Sequence, residues 1–266
     1  MTALKVAVSG TGRMGRETLL AVCRDPELVP VALLGRSATG AQVELPDGSG
    51  RVPSGADVDA LLAQTRPDIV IDFSHHEWTQ RVARAAFAVG ARPVIGTTGL
   101  SQSFLEELAR TCREMRLGCI VAANFSVGAV VMMHMAKLAA RYFDHVEIIE
   151  MHHDQKADAP SGTAMATAQM MLAARDERPF TVPPTLKETM PGTRGAALGG
   201  ATIHSMRLPG LVAHQAVIFG GLGQTLTIRH DSTSRESFMP GVLMAAREVM
   251  KRDELLVGLE ALMGLT

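Results

Sequence analysis

The sequence predicts two domains of different fold class, an α/β domain with a parallel sheet and a second, α+β domain with a mixed, largely antiparallel sheet. Up to about residue 125, short apolar runs alternate with helical patterns, and the runs are apolar throughout, as in a parallel sheet that helices cover on both faces. From residue 201 onward, strand-like runs follow one another with short turns between them, which is typical of antiparallel pairing. A length of 266 residues accommodates two such domains.

The first domain opens with a βαβ unit of about 30 residues. Leu4–Ser9 is a strand, a helical pattern follows it, and Leu28–Leu34 is the next strand. The alternation then predicts strands at 69–73, 93–96 and 118–122 and helices at 77–89 and 104–116. Ser103 and Glu106 have the spacing of a capping box at the start of the second of these helices.

The second domain combines helices with consecutive strands. The pattern predicts helices at 127–142 and 162–174 and strands at 145–151, 201–207, 212–219 and 224–230. The chain then closes with helices predicted at 237–251 and 253–262. Glycines in residues 220–223 supply the turn between the last two strands.

Composition excludes several classes of protein. Lys and Arg total 26 and Asp and Glu total 27, so there is no basic excess and nucleic acid is not the expected partner. No apolar run reaches the roughly 18–20 residues that span a bilayer, and the first residues do not resemble a signal peptide, so we expect no membrane segment and a cytoplasmic location. Cys23, Cys112 and Cys119 lie in apolar patterns, and we expect them to be buried without chemical roles.

A glycine motif follows the first strand. It reads Gly10-Thr11-Gly12-Arg13-Met14-Gly15 and opens a helix, which is the Rossmann-type context of a dinucleotide-binding loop. Gly10 permits the sharp turn, Gly12 lets the backbone approach a pyrophosphate, and Gly15 lets the helix pack against the strand. The alternative is a plain strand-to-helix turn, which the surrounding βαβ unit makes the weaker interpretation.

The end of the second strand bears on the choice of nucleotide. NAD-binding domains place an acidic residue there for the ribose hydroxyls. This chain has Gly35 and Arg36 instead, and a guanidinium attracts a 2′-phosphate. We therefore expect NADPH as cofactor, alone or together with NADH; the alternative is that Arg36 is only a solvated loop charge.

A polar segment at 147–163 links a predicted strand to a predicted helix. Ser161 is a candidate N-cap, and the amides of Gly162 and Thr163 form an anion site at the start of the helix, suited to a carboxylate. Lys156 and the neighbouring histidines His152 and His153 supply proton donors. An anion site beside proton donors suits the reduction of a C=N or conjugated bond. In such a reaction a cofactor gives a hydride and the protein gives a proton.

Other interpretations of the histidines are weaker. His152 and His153 have no third ligand at a zinc-like spacing, so we predict no metal site. His75 and His76 fit a polar loop, and His134 fits a hydrogen-bonded core position.

Two other functions fit part of the pattern. A non-catalytic NADP-binding sensor would keep the nucleotide domain and use the second domain for partners, but the donors beside the anion site argue against it. Another two-domain NAD(P) oxidoreductase would act on a sugar or a semialdehyde. A semialdehyde dehydrogenase needs a nucleophilic cysteine in a polar loop, and no cysteine has that placement here.

The segment 147–163 resembles the signature of the dihydrodipicolinate reductase family, E-x-x-E-x-H-H-x-x-K-x-D-x-P-S-G-T. Other segments are similar to the same family in the same order: Gly12 to Gly15, Ile71-Asp72-Phe73-Ser74, Gly96-Thr97-Thr98-Gly99, Ala123 to Gly128, and His204-Ser205-Met206-Arg207. The resemblance covers nearly the whole chain.

The resemblance implies a reaction: the NAD(P)H-dependent reduction of 4-hydroxy-tetrahydrodipicolinate to tetrahydrodipicolinate, in lysine and diaminopimelate biosynthesis. His152 would be the acid/base group, Lys156 the proton donor and His153 a substrate contact, and the helix start at Ser161, Gly162 and Thr163 would hold one substrate carboxylate. The cofactor would contact Gly10, Thr11, Gly12, Arg13, Met14, Gly15, Arg36, Phe73, Gly96, Thr97, Thr98, Ala122, Ala123, Asn124 and Phe125.

The resemblance also implies domain roles. Residues 1–125, with 236–266 returning to them, would bind the dinucleotide, and 126–235 would bind substrate and build a homotetramer. The phosphate loop is one residue shorter than in some members. Gly35 replaces the acidic residue that some members use for NADH, so cofactor preference does not transfer from the family.

Overall fold

The computed structural model describes residues 3–38 and 40–265, and the chain divides into two compact units. The first unit is Met1–Val127 with Phe238–Thr266, and the second is Gly128–Ser237. The elements up to residue 127 are β1 (Leu4–Ser9), α1 (Arg13–Arg24), β2 (Leu28–Leu34), β3 (Gln42–Glu44), β4 (Arg51–Gly55), α2 (Val58–Thr65), β5 (Ile69–Asp72), α3 (His76–Ala88), β6 (Arg92–Ile95), α4 (Gln102–Met115) and β7 (Cys119–Val121). Then come α5 (Val127–Ala139), β8 (His145–His152), α6 (Gly162–Ala173), β9 (Ala196–Leu198), β10 (Ala201–Arg207), β11 (Ala213–Gly221), β12 (Gln224–Ser232), a 3-10 turn (Arg235–Phe238), α7 (Met239–Val249), β13 (Leu255–Val257) and α8 (Leu259–Leu262).

The first unit is a mostly parallel sheet with helices packed against it. Among the described residues the strand order is β13-β7-β6-β5-β1-β2-β4-β3, and β3 with β4 is its one antiparallel pair. β5 is buried along its whole length, which explains its uninterrupted apolar sequence. The chain leaves β1 toward β2 on one side and β5 on the other, and ligands of such sheets bind at the carboxyl ends beside this reversal. The predicted Rossmann-type sheet is confirmed.

The second unit has a mixed sheet in the order β12-β11-β8-β10-β9, in which β8 and β10 are parallel and the other neighbours are antiparallel. Val146 and Ile148 of β8 are buried against a core that includes Met132 of α5 and Met171 of α6. Gly223, at a φ of 69°, closes the hairpin between β11 and β12. The predicted mixed, largely antiparallel sheet is therefore confirmed.

A buried arginine closes the end of α5. The Nη1 group of Arg175 donates to the carbonyls of Ala140 at 2.7 Å and Phe143 at 2.6 Å, and its Nη2 group donates to Asp144 at 2.8 Å. The guanidinium lies 4.4 Å from the ring centroid of Phe180. Both carbonyls belong to the segment between α5 and β8, so this cation fixes that connection.

The helix predicted at 253–262 is wrong over its first half. Leu255–Val257 forms β13, which pairs with β7, and only Leu259–Leu262 is helical. Gly258, at a φ of 92°, separates the two elements. Three apolar residues in an edge strand and one apolar face of a helix give the same short pattern, and only the pairing with β7 distinguishes them.

The start of α4 also differs from the prediction. Ser101, and not Ser103, is the N-cap, and its hydroxyl accepts from the amide of Phe104 at 3.2 Å. Glu106 accepts from the side chain of Gln102 at 3.2 Å instead of completing a capping box. Both serines stand near the correct position, so the local sequence alone did not decide between them.

Two further features depart from the sequence analysis. The hairpin of β3 and β4 and the helix α2 were not predicted, because turn-forming residues interrupt the apolar pattern between residues 46 and 57. Cys112 and Cys119 are buried as expected, whereas Cys23 is half-buried.

The helices of the described residues are too short or too polar to serve as membrane spans.

Candidate active site

The glycine motif forms a tight turn between β1 and α1. Gly10 has a φ of 120°, and a Cβ atom there would stand 2.5 Å from the carbonyl oxygen of Phe73. A Cβ atom on Gly15 would overlap the carbonyl of Gly10, so both positions require glycine. A Cβ atom on Gly12 would point into open space at the start of α1. Free amides at a helix start beside open space fit a phosphate group, so these residues can hold the pyrophosphate of a dinucleotide.

The end of β2 lies beside this loop. The amide of Gly35 donates to the carbonyl of Gly55 at 3.1 Å, and the amide of Ala38 donates to the carbonyl of Gly35 at 3.1 Å, which closes a turn with Arg36 and Ser37 exposed at its tip. A cavity of about 420 Å³ adjoins the turn, with Ser37 and the phosphate loop in its wall. A cation at this turn has the position that recognises the adenosine ribose in sheets of this type.

The carboxyl ends of β5, β6 and β7 bring together a second group of predicted residues. The ring of Phe73 lies against Gly96, where a Cβ atom would overlap it, and meets the ring of Phe125 edge-on at a centroid distance of 5.6 Å. Thr97 and Ala122 are buried, Thr98 and Ala123 are exposed, and the side chain of Asn124 accepts from the amide of Ser126 at 2.8 Å. These positions border the same edge of the sheet as the phosphate loop.

Asp72 organises this edge, although the sequence analysis gave it no role. Its buried carboxylate accepts hydrogen bonds from the hydroxyls of Ser74 at 2.6 Å, Thr79 at 2.5 Å and Thr97 at 2.8 Å. The hydroxyl of Thr97 also accepts from the amide of Ser74 at 3.0 Å. The ends of β5 and β6 are thereby joined. An aspartate at the end of an otherwise apolar strand was the available signal.

In the second unit, His152 is paired with a buried carboxylate. Its Nδ1 atom lies 2.5 Å from Oε2 of Glu150, whose side chain is 0 % exposed. Burial lowers the pKa of His152; the bond to Glu150 opposes that effect, and the charges of Lys156 and Arg207 add to it. The imidazole is therefore neutral near pH 7, with Nδ1 donating to the carboxylate and Nε2 able to accept a proton.

Glu150 remains ionised despite its burial. Burial opposes ionisation, but hydrogen bonds from Arg207, Ser205 and His152 outweigh it, so the pKa of Glu150 is lowered. Arg207 makes a two-point contact with the carboxylate, at 2.9 Å from Nη1 and 2.7 Å from Nη2. Such forked pairs are the strongest arginine–carboxylate contacts. Arg207 belongs to the His204–Arg207 segment, to which the sequence analysis assigned no role.

The loop after β8 carries the predicted lysine. Nζ of Lys156 donates to Oδ1 of Asp158 at 2.6 Å, and this pair lowers the pKa of Asp158. The amide of Lys156 donates to the carbonyl of His153 at 3.2 Å, and His153 is half-buried at the start of the loop. The carbonyl of Asp158 accepts from Nη2 of Arg207 at 2.7 Å. The lysine therefore stands on a loop that is fixed to β10.

The start of α6 is tied to the same carboxylate. The hydroxyl of Ser161 caps the helix by accepting from the amide of Ala164 at 3.2 Å, and the Ser161 amide donates to Oε1 of Glu150 at 3.2 Å. The amides of Gly162 and Thr163 occupy the first turn, where the helix offers them no acceptor. A Cβ atom on Gly162 would meet open space. This helix start can bind an anion such as a carboxylate.

The predicted site residues thus fall into two groups. Those of the phosphate loop, Arg36 and the ends of β5 to β7 belong to the first unit, and His152, His153, Lys156 and the start of α6 belong to the second. Among the described residues, no group of three His, Cys, Asp or Glu side chains is arranged to hold a metal ion.

A nucleotide-binding sheet in one unit and proton donors beside an anion site in another define a class: the protein is a nicotinamide-dependent oxidoreductase. Comparison with known families is more specific. The N-terminal model of dihydrodipicolinate reductase matches residues 4–125, and the C-terminal model of dihydrodipicolinate reductase matches residues 128–263. The chain belongs to the dihydrodipicolinate reductase family.

Similar proteins carry the corresponding names. A 4-hydroxy-tetrahydrodipicolinate reductase of Moorella thermoacetica is 47% identical over 265 residues, with 98% of each chain covered. One from Dehalococcoides mccartyi is 45% identical over 266 residues, with 100% of each chain covered. The solved structure of a dipicolinate-bound dihydrodipicolinate reductase from Paenisporosarcina sp. TG-14 has a TM-score of 0.87 and 43% identity, covering 98% of this chain and 99% of that one.

Proposed function

We propose that this protein reduces 4-hydroxy-tetrahydrodipicolinate to tetrahydrodipicolinate in lysine and diaminopimelate biosynthesis, with NADPH preferred to NADH. The observation that carries the proposal is the Glu150 carboxylate, which contacts both His152 and the start of α6 and so places a proton-transfer group beside an anion site. Relatives that are 45–47% identical over nearly their whole length bear the name of this activity.

The start of α6 binds one carboxylate of the substrate. The amides of Gly162 and Thr163 and the hydroxyl of Thr163 are the donors, and the helix dipole favours the negative charge. The dipicolinate in the solved relative is a ring with two carboxylates, as the proposed substrate is. Orientation of a bound reactant can lower a barrier by several kcal/mol, about 7–11 in ideal cases.

Lys156 and His152 transfer protons in the proposed reaction. After the 4-hydroxyl group leaves as water, the ring is a conjugated cyclic imine, and its reduction requires one hydride and one proton. A reduced nicotinamide, when bound, supplies the hydride to C4 of the ring. Nζ of Lys156 gives the proton that completes reduction of the C=C bond, and the C=N bond remains in the product. His152 exchanges protons through Nε2, since Nδ1 is held by Glu150.

The first unit binds the nucleotide. The amides around Gly12 hold the pyrophosphate, and Phe73, Gly96, Thr97 and Asn124 border the part of the sheet edge assigned to the nicotinamide. Arg36 binds the 2′-phosphate of NADPH. The absence of a carboxylate from residues 34–37 supports this preference, because no negative charge at the turn repels that phosphate.

The proposal extends to a homotetramer in the cytoplasm, assembled through the second unit. Its sheet packs one face against α5 and α6, while the alternate side chains of β8 and β10 point the other way. On that face Ile149 and Met151 are only half-buried and Met206 is 40 % exposed. These apolar side chains lie beside the polar pair of Glu147 and His204 on the same face. Exposed apolar side chains grouped in this way are typical of a surface that another protein covers.

A coupled assay tests the proposed reaction. The purified protein is mixed with a dihydrodipicolinate synthase reaction, which generates the substrate, and loss of the reduced nucleotide is followed with NADPH and NADH separately. We expect consumption that depends on the synthase and is faster with NADPH. No consumption with either nucleotide would end the proposal, and faster consumption of NADH would contradict the role of Arg36.

A further inference from the structure

We propose that Arg207 is a positioning residue for both proton-handling groups of the reaction. Through Glu150 it fixes the imidazole of His152, and through the carbonyl of Asp158 it fixes the loop on which Lys156 stands. This inference rests on the proposed function, because it assigns Arg207 to the same site.

Both terminal nitrogens of the Arg207 guanidinium are engaged by the protein. Nη1 donates to Glu150 at 2.9 Å and to the carbonyl of Met206 at 2.6 Å, and Nη2 donates to Glu150 at 2.7 Å and to the carbonyl of Asp158 at 2.7 Å. Nε is buried and has no hydrogen-bond partner among the described residues. Each terminal N–H group is therefore occupied, so Arg207 acts through other residues and does not bind the substrate itself.

The position of Arg207 follows from the pairing of β8 and β10. Arg207 and His152 are direct partners in this parallel register, and the amide of Leu208 donates to the carbonyl of His152 at 3.1 Å. The guanidinium therefore reaches the carboxylate two residues before His152 on the neighbouring strand. A shorter lysine side chain could not make both contacts with the carboxylate and also reach Asp158.

Several donors share the two oxygens of the Glu150 carboxylate. Oε2 receives both Nη1 of Arg207 and Nδ1 of His152, whereas Oε1 receives Nη2 of Arg207 and the amide of Ser161. Without Arg207, the donors left to this buried charge would be the amide of Ser161, the side chain of Ser205 and His152, of which only His152 can become a cation. Glu150 would then favour the protonated imidazole, and His152 would no longer be neutral at the pH where it must accept a proton.

The charged groups that act on His152 come from three elements. Glu150 is on β8, Lys156 is in the following loop and Arg207 is on β10. The residue opposite His152 on β11 is Ala213, which carries no charge. Removal of Arg207 therefore raises the pKa of His152, while replacement of Glu150 by a neutral residue lowers it.

The test uses Arg207→Met, Arg207→Lys and Glu150→Gln in the full-length protein. The imidazole of His152 is titrated by NMR, kcat and KM are measured across pH, and dipicolinate affinity is measured by calorimetry. We expect Arg207→Met and Glu150→Gln to move the His152 titration in opposite directions. Arg207→Met should lower kcat by about 10²-fold, since small misplacements of reacting groups cost that much, with a smaller effect on dipicolinate affinity. In Arg207→Lys, the pKa of His152 should lie between the values of Arg207→Met and the wild type, and kcat should recover by a smaller proportion.

Arg194→Met is the matched control. Nη2 of Arg194 pairs with Glu147 at 2.7 Å, so it is also an arginine bound to a glutamate of β8. We expect this variant to leave the His152 titration and kcat at wild-type values. The proposal is overturned if Arg194→Met has the same effects as Arg207→Met, or if the Arg207 variants leave both the titration and kcat unchanged.

The titration separates this inference from the proposed function. If the wild-type protein fails to reduce the substrate but the His152 titration still moves as expected, the function is wrong and the positioning by Arg207 stands. If Arg207→Met does not fold, the same measurements are made on Arg207→Lys, which keeps the charge. A wild-type His152 titration together with a wild-type kcat in that variant would overturn the proposal.

Discussion

The methyl group of Thr11 occupies the space that a Cβ atom on Gly35 would need. Two hydrogen bonds hold the backbone of Gly35 in place: its amide donates to the carbonyl of Gly55, and its carbonyl accepts from the amide of Ala38. Residue 11 of the phosphate loop and residue 35 at the end of β2 are thus packed so closely that the space between them fits a glycine but no Cβ atom. A side chain at residue 35, including the acidic one that would favour NADH, therefore requires the exposed side chain of Thr11 to move.

A double-mutant cycle tests this contact. Gly35→Ala should lower the free energy of unfolding by about 1–3 kcal/mol, the usual cost of overpacking. Thr11→Ser removes only the methyl group and leaves atoms 3.5 Å from the new Cβ, so the double variant should recover most of the loss. Thr11→Val, which keeps a branched side chain, is the control and should give no recovery. Equal costs in both backgrounds would contradict the contact.

Arg36→Ala tests the choice of nucleotide. A hydrogen bond to a charged group contributes about 1.5–3 kcal/mol, so the Kd for NADPH should rise by about 10- to 100-fold. NADH, which lacks the 2′-phosphate, serves as the internal control and should bind unchanged. Direct titration of each nucleotide measures both values. An equal loss for the two nucleotides would show that Arg36 does not contact the phosphate.

Lys156→Ala tests the proton donor. Because a positioned general acid contributes typically 10²–10⁴-fold, kcat should fall by about 10² or more at saturating substrate. Lys187→Ala, an exposed lysine of the same unit, should have wild-type kcat. Wild-type turnover of the Lys156 variant would remove that residue from the mechanism.

Arg175→Met tests the closure of α5. The carbonyls of Ala140 and Phe143 would lose their donor, and an unsatisfied buried acceptor costs about 1–3 kcal/mol. The urea midpoint should therefore fall. Arg178 also lies near Asp144, at 3.5 Å, but its side chain is 63 % exposed, so Arg178→Met should change the midpoint little. Similar midpoints for the two variants would refute this role of Arg175.

Stability should depend on pH through His152 and Glu150. Both have a lowered pKa in the folded protein, so each contributes stability that is present above its unfolded pKa and is lost as the pH falls. The loss from His152 begins below about pH 6.5 and that from Glu150 below about pH 4.3. Urea unfolding measured between neutral and acid pH should show both phases. Burial also lowers the pKa of His230, so His152→Gln should reduce the upper phase and leave the part that comes from His230. A wild-type stability that is constant from neutral pH down to about pH 5 would contradict the lowered pKa of His152.

The parts of the fold that the sequence predicted well are those fixed by local pattern. β1 and β2 have the predicted bounds, because each is an apolar run ended by a charge or a glycine. The edge strand β13 was missed, since its identity depends on pairing with β7, which is more than a hundred residues away. Long-range pairing is not encoded in a short window of sequence.

The candidate site shows the same division. His152, Lys156 and Ser161 are close in sequence, and their residue types alone indicated proton transfer beside an anion site. Arg207 comes from 57 residues beyond Glu150, and its role depends on the register of two strands. Its signal was a charged residue at the end of an otherwise uncharged strand, which without the fold is ambiguous.

The return of the C-terminal segment has a consequence for synthesis on the ribosome. β13 completes the parallel sheet beside β7, and Val242, Ala245 and Val249 of α7 are buried in the first unit. The second unit is therefore translated in full while the first still lacks α7, β13 and α8. A chain released from the ribosome at residue 237 should contain a protease-resistant second unit, and the nucleotide-binding unit should become resistant only when residues 238–266 are present.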